Sequence, residues 1–192
     1  IMGGVGSFWG ALVGGMVMTH ADDNGMVIPP RLAPNHVVVL PIMRSDEDAS
    51  TVLPYCEALA ARLRQQTYHG KPVSVVVDTR DMNAGEKGWN WIKKGVPVRV
   101  EVGPRDIARD SVFVGRRDRE TSDRYSEGAD AFVTGITDLL DDIQNSLFER
   151  ARAFREEHTR TIDSWDDFTA FFTPANRDKP ETHGGFAMAH WC

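Results

Sequence analysis

Two short apolar runs, HVVVLPI over residues 36–42 and VSVVVD over residues 73–78, constrain the fold of this chain more than any other feature in it. Both are rich in valine and neither alternates, which is the pattern of strands buried on both faces. Between them Val52, Cys56, Leu59, Ala60 and Leu63 recur at i, i+4, i+7, i+8 and i+11, one apolar stripe on a helix, while Glu57, Arg62 and Arg64 fall away from it. Pro54 lies early in this stretch, so the helix begins near it or kinks there. A strand, a helix and a strand in this order form a βαβ unit, which demands a parallel sheet covered by helices.

The rest of the chain adds to that sheet. Val96, Val98, Val100 and Val102 alternate with Pro97, Arg99 and Glu101, the period of a half-buried strand, and Gly103-Pro104 stops it. A helical turn over residues 104–109, a strand over 111–116 and a loop over 117–125 follow. Then Phe132, Ile136, Leu139, Leu140, Ile143 and Leu147 mark a long helix, with Ser126 as its N-cap and Glu127 and Asp130 suited to its first turn. Residues 149–161 are dense in both charges and are expected to project from the domain. Ser164 caps a further helix, residues 173–182 read as a linker and 184–191 as a strand. No internal repeat is present.

The strand at Val96 is preceded by Lys87, Trp89, Trp91, Lys93 and Lys94, which interleave cations with large aromatic faces. That combination grips phosphate and stacks a splayed base. It equally describes a solvated turn with two indoles folded onto the core. The net charge of −6 argues against a nucleic-acid partner, but the window 80–119 holds ten basic and six acidic side chains, so it carries +4 and the remainder −10. One basic region on an acidic body is compatible with local RNA binding.

With 192 residues, 41% hydrophobic and 26% charged, the chain has the composition of a soluble globular protein. Two cysteines, Cys56 and Cys192, make no disulfide framework, and a reducing, cytoplasmic setting is expected. Residues 1–18 are apolar but contain six glycines and no basic flank, which excludes a signal peptide or a membrane span. The chain begins with Ile rather than Met, which suggests a piece of a longer protein. No P-loop, nucleophile elbow, dinucleotide fingerprint or HExxH motif occurs. His20, Asp22 and Asp23 read as part of a polar hairpin with Asn24-Gly25 at its tip and residues 16–18 and 26–28 as its strands, rather than as a metal or acid–base cluster. His190 and Cys192 are too few for a zinc site.

Three stretches, MTHADDNGMVIPPRLAP (18–34), GEKGWNWIKKGVPVRVEVGPRD (85–106) and GGFAMAHWC (184–192), resemble prolyl-tRNA synthetase, a class II aminoacyl-tRNA synthetase, in the form that carries an extra C-terminal domain. Their order and spacing match as well, over nearly the whole chain. The resemblance implies a homodimeric ligase that activates proline with ATP and Mg²⁺ as prolyl-adenylate and transfers it to proline tRNA. It implies three parts: residues 1–34 as the end of the class II catalytic domain, 35–148 as the anticodon-binding domain, and 149–192 as the start of a small zinc-type α+β domain. The middle part is an α/β fold with a mixed five-stranded sheet packed with helices. Cys192 would be the first of several zinc ligands if the chain continues.

The departures are as informative. The third catalytic motif of the family holds a Ser-Thr-Arg stretch whose Arg grips the ATP triphosphate, yet residues 7–14 match its surroundings without that Arg, and no Arg precedes Arg31. The first two motifs and the proline pocket are absent too. A chain without those cations and Mg²⁺ ligands cannot stabilise the charge of adenylate formation, so the parent is an enzyme while this chain has no catalytic residue and is inactive alone. The alternative is a noncatalytic nucleic-acid-binding or scaffold relative of the anticodon-binding domain.

Ligands of open α/β sheets gather at the carboxyl ends of the strands, and proline anticodons share two guanines, whose edges suit Arg, Lys and carboxylate. Asp78, Arg80, Lys87 and Lys94 are therefore expected to read or clamp those guanines. Trp91 is the expected stacking platform, Arg105 and Asp106 brace the adjacent turn, and Trp89 is the indole expected in the core.

Overall fold

A computed structural model describes residues 21–174 and 185–190 of the chain, which divides after Leu147 into two compact units. In the first, β1 (Ala21–Asp22) and β2 (Gly25–Met26) form a hairpin, and a 3-10 turn (Pro30–Leu32) leads to β3 (Val37–Pro41). There follow α1 (Asp46–Arg64), the small hairpin β4 (Thr67–Tyr68) and β5 (Lys71–Pro72), then β6 (Val75–Val77), α2 (Ala84–Lys93), β7 (Val98–Val102), α3 (Pro104–Ile107), β8 (Ser111–Arg116), β9 (Arg124–Gly128) and the long helix α4 (Ala129–His158), which belongs to this unit as far as Leu147. The five-stranded sheet has the order β6-β3-β7-β8-β9, with β6, β3 and β7 parallel and β8 and β9 antiparallel. This is the mixed five-stranded α/β sheet that the resemblance implies; the valine runs account for its parallel part, and β9 is the strand that the residue pattern did not supply.

Alternation along the strands divides the core. Val37 and Val39 of β3, with Val98, Val100 and Val102 of β7, face α1 and α4, where Leu63, Phe132 and Ile136 are fully or almost fully buried. Val38 and Leu40 face the other way, under Trp91 and Val96. Because α2 covers that second side, β7 is not the half-exposed strand its alternation suggested, and Arg99 on its polar face is only 4% exposed. Burying a valine or leucine this completely contributes roughly 1.5–3 kcal/mol each, and the two faces use opposite residues of one strand, so register is strongly fixed.

Several local expectations are corrected. The Lys/Trp-rich segment is not a surface turn but helix α2. Asn83 caps it by accepting from Gly85 N at 2.9 Å, and Lys87, Trp91 and Ile92 turn one face inward. Ser126 is not an N-cap, because it pairs with Phe113 inside β9, where exposed and half-buried residues alternate, and α4 starts at Ala129. Helix α1 begins at Asp46, capped by Ser45, which accepts from Asp48 N at 3.1 Å, and Pro54 lies inside it. Three acids in its first turn suit the positive end of the helix dipole. In the first hairpin Ala21 pairs with Met26 and Asp22 with Gly25, so Asp23 and Asn24 form the turn and Gly25 starts the return strand. Asp22 Oδ1 accepts from Asn24 N at 2.9 Å and closes the turn early, one residue before the Asn-Gly tip expected. His20 and residues 16–18 lie outside the described residues.

In the second unit β10 (Thr159–Thr161) pairs in parallel with β11 (Phe186–Met188), and α5 (Trp165–Phe172) starts at the expected cap, where Ser164 accepts from Asp167 N at 3.1 Å. Most of the expected linker lies outside the described residues. Among the described residues no helix is long and apolar enough to cross a membrane.

Candidate nucleic-acid interface

Polar side chains gather along both flanks of α2. On the β6 flank the chain leaves the sheet at Asp78, whose N donates to Val39 O at 2.9 Å. The Asp78 side chain is only 2% exposed, and its carboxylate accepts from Trp91 Nε1 at 2.7 Å and from Arg80 Nε and Nη2 at 2.8 and 2.6 Å. Lys87, also buried, donates from Nζ to Asp78 O at 3.2 Å. Arg80 holds the Asp78 carboxyl well below the usual carboxylate range; burial opposes this and the Trp91 N–H assists it. The guanidinium of Arg80 is tethered at one edge and half-exposed at the other, and Lys94 Nζ lies 4.4 Å from the Trp91 ring centre.

The structure thus brings together Asp78, Arg80, Lys87, Trp91 and Lys94, with the burial pattern changed. Asp78, Lys87 and Trp91 lie inside, against the more exposed Arg80 and Lys94. The two indoles exchange places: Trp91 is 8% exposed and Trp89 41%. The reason is that residues 87 and 91, one helical turn apart, share the face held by Asp78, whereas position 89 turns to the opposite flank. Arg105 and Asp106 stand apart from this cluster at the carboxyl end of β7, with β3 between. Asp106 Oδ2 accepts from Gly103 N at 2.9 Å, bracing the start of α3, and Arg105 is exposed.

On the other flank lies a cleft of about 270 Å³ between α2 and the outer face of β7. Its walls include Gly85, Gly88, Trp89 and Ile92 on the helix, Arg99 and Glu101 on the strand, Thr121 from the chain before β9, and Arg124 at the start of β9. Arg99 Nη1 is buried there with no hydrogen-bond partner among the described residues. Burial pushes the Arg99 guanidinium down to about 10, eased by Glu101 and aggravated by Arg117 and Arg124, so it remains charged at neutral pH. Gly115 makes the room for it, since a Cβ there would lie 3.0 Å from Arg99 Nη2. Arg124 is itself engaged, with Nη1 2.7 Å from Glu101 Oε1 and its guanidinium 5.1 Å from the Phe113 ring centre.

An unpartnered buried donor carries a desolvation cost that an acceptor in the cleft would remove. With Trp89 as an exposed aromatic face and Glu101 as a nearby acceptor, the cleft suits a flat ring bearing paired acceptors and donors on its edge. Sequence reading missed Arg99, Glu101, Thr121 and Arg124. The usable signal is the alternation that puts Arg99 and Glu101 on one face, a face the local pattern leaves to solvent because nothing in it shows the helix packed above.

Residues 36–139, more than half of the chain, match the family described as the anticodon binding domain. The chain belongs to the anticodon-binding domain family. As such it is 51% identical over 187 residues to a proline–tRNA ligase of Bdellovibrio bacteriovorus, covering 96% of this chain and 37% of the relative. It is 50% identical over 190 residues to proline–tRNA ligase 2 of Anaeromyxobacter dehalogenans (95% and 37%) and 44% identical over 188 residues to the proline–tRNA ligase of Protochlamydia amoebophila (96% and 37%). The chain therefore spans a little over a third of the length of these curated relatives. The matches bear out the resemblance to prolyl-tRNA synthetase, and none of these relatives favours the noncatalytic alternative. Among the described residues no group of three or more His, Cys, Asp or Glu is placed to hold a metal ion; His190 Nε2 lies 3.3 Å from Asp163 Oδ1, and Cys192 is outside the described residues.

Proposed function

We propose that this chain reads the anticodon of proline tRNA for a proline–tRNA ligase, a cytoplasmic homodimer that uses ATP and Mg²⁺ to join proline to its tRNA through prolyl-adenylate. The observation that carries the reading is Arg99 Nη1, buried with no hydrogen-bond partner among the described residues in an open cleft beside Trp89, within a domain of the anticodon-binding family. Residues 35–148 would form that domain, residues 1–34 the end of the catalytic domain, and 149–192 the start of a C-terminal domain to which Cys192 contributes a zinc ligand. Arg99 and Glu101 take one guanine, with Trp89 stacking on it. Arg80 and Lys94, held by Asp78, Lys87 and Trp91, meet the other guanine or its phosphate, and Arg105 meets the strand beyond a turn braced by Asp106. ATP, Mg²⁺ and proline belong to the complete ligase, and no residue described above is assigned to them.

Binding of a proline-tRNA anticodon stem-loop and two guanine-to-adenine variants across a salt series tests this. Arg99→Met and Arg80→Ala should each cost about 1–3 kcal/mol and relax discrimination at one guanine, while Lys93→Ala should weaken all three RNAs alike and reduce the salt slope by about one. Equal binding of the three RNAs by the unmodified chain overturns the reading. The chain alone is also expected to show no proline-dependent pyrophosphate exchange, since no Arg precedes Arg31 to hold a triphosphate; exchange above background would contradict that.

A further inference from the structure

One buried guanidinium joins the cleft to the first hairpin. The Arg117 side chain is 2% exposed, with Nη1 and Nη2 each 2.6 Å from the Asp22 carboxylate. Its Nη2 donates to Gly25 O at 3.3 Å and its Nε to Met26 O at 2.9 Å and Ile92 O at 3.2 Å. Arg117 and Ile92 lie inside the family match at residues 36–139, whereas Asp22, Gly25 and Met26 lie outside it. The approach is close to backbone contact. A Cβ on Gly25 would sit 2.7 Å from Lys93 Cα, and one on Gly95, at φ +72°, would sit 2.7 Å from Met26 O. Ile28 N donates to Gly95 O at 3.3 Å across the same seam.

Two features tie this seam to the cleft. Ile92 lines the cleft while its carbonyl is held by Arg117, so a change in the last turn of α2 moves both. Arg117 N donates to Pro97 O at 2.9 Å, two residues before Arg99 on the same chain segment, and its like charge opposes that of Arg99, which Glu101 eases while Arg99 Nη1 has no hydrogen-bond partner among the described residues. A ring that accepts from Arg99 would screen it, and Arg117 would then hold Asp22 at lower cost. Coupling of this kind is reciprocal in binding free energy.

We propose that Arg117 is a positioning residue that couples the cleft to the β1–β2 hairpin, so that filling the cleft tightens the hairpin and loosening the hairpin weakens the cleft's ligand. The ligand half of this proposal rests on the anticodon reading; the repulsion half does not. Hydrogen exchange at Asn24 and Ile28 in the full chain reads it. Without RNA, Arg99→Met removes the repulsion and should slow exchange at both amides by about fivefold or more, an effect that should shrink in the Arg117→Lys background. With saturating proline anticodon stem-loop the unmodified chain should show a similar slowing, and Asp22→Asn should weaken stem-loop binding by a matching factor, which a merely structural salt bridge would not do.

Exchange unaffected by Arg99→Met, or slowed equally in the Arg117→Lys background, overturns the coupling whether or not RNA binds. Stem-loop that binds without changing hairpin exchange overturns it too. A chain that fails to bind the stem-loop overturns the anticodon reading instead, and the RNA-free variants still decide the coupling.

Discussion

Replacing Asp78 by Leu is expected to destabilise the first unit by roughly 3 kcal/mol, the sum of a buried indole donor left unsatisfied and a charge-assisted hydrogen bond lost. The carboxylate is 2% exposed and is the acceptor for Trp91 Nε1. The ion pair with Arg80 adds less, because that guanidinium is 45% exposed and solvent screens it. Asp78→Asn keeps an acceptor for the indole and should cost distinctly less. Urea unfolding followed by tryptophan fluorescence measures both, and equal midpoints for the Leu variant and the parent would sink the assignment. The folded carboxyl is depressed below its unfolded value. Its contribution is therefore present above the unfolded value near pH 4 and is lost as pH falls through the folded one, so the gap between parent and Leu variant should narrow below about pH 4. Released from its tether, Arg80 should also lose discrimination at its guanine.

Arg116→Met should cost more, about 3–5 kcal/mol, since it breaks a buried ion pair and leaves a carboxylate inside without its guanidinium. The side chains of Arg116 and Asp118 are 7% and 0% exposed, joined through Nε at 2.9 Å and Nη2 at 2.8 Å, and Nη1 reaches Asp142 on α4 at 2.6 Å. Although burial opposes it, these two carboxylates hold the Arg116 guanidinium charged, raised above its ordinary value. The neighbouring Arg117 points to the hairpin and α2, whereas Arg116 serves the α4 side of the sheet. Guanine discrimination by the fraction that remains folded should accordingly be unchanged. Denaturant midpoints read the first effect and stem-loop competition the second; discrimination lost in step with stability would show that the two faces are not separable.

The valine runs and the apolar stripe between them were sufficient for the parallel part of the sheet and for α1, because strands buried on both faces have no other environment that accepts them. Ser164 was equally legible as a cap, since its partner Asp167 N is local. β9 was not. RYSEG alternates weakly, and it is a strand because β8 offers an unpaired edge, a fact of tertiary contact.

The sequence by itself determined the family, the mixed α/β class, and the concentration of positive charge and indoles around residues 80–119. Those are matters of composition, period and motif spacing, and they survive any error about a single turn. Only the tertiary structure decided which of these groups meet solvent. Trp91 is drawn inside by the carboxylate of Asp78 and Lys87 by its backbone carbonyl, Trp89 is left outside by its place on the helix, and Arg99 Nη1 is buried under α2 with no hydrogen-bond partner among the described residues. Burial of a charged side chain depends on what packs over it from elsewhere in the chain, and no local pattern around Arg99 encodes the helix that covers it.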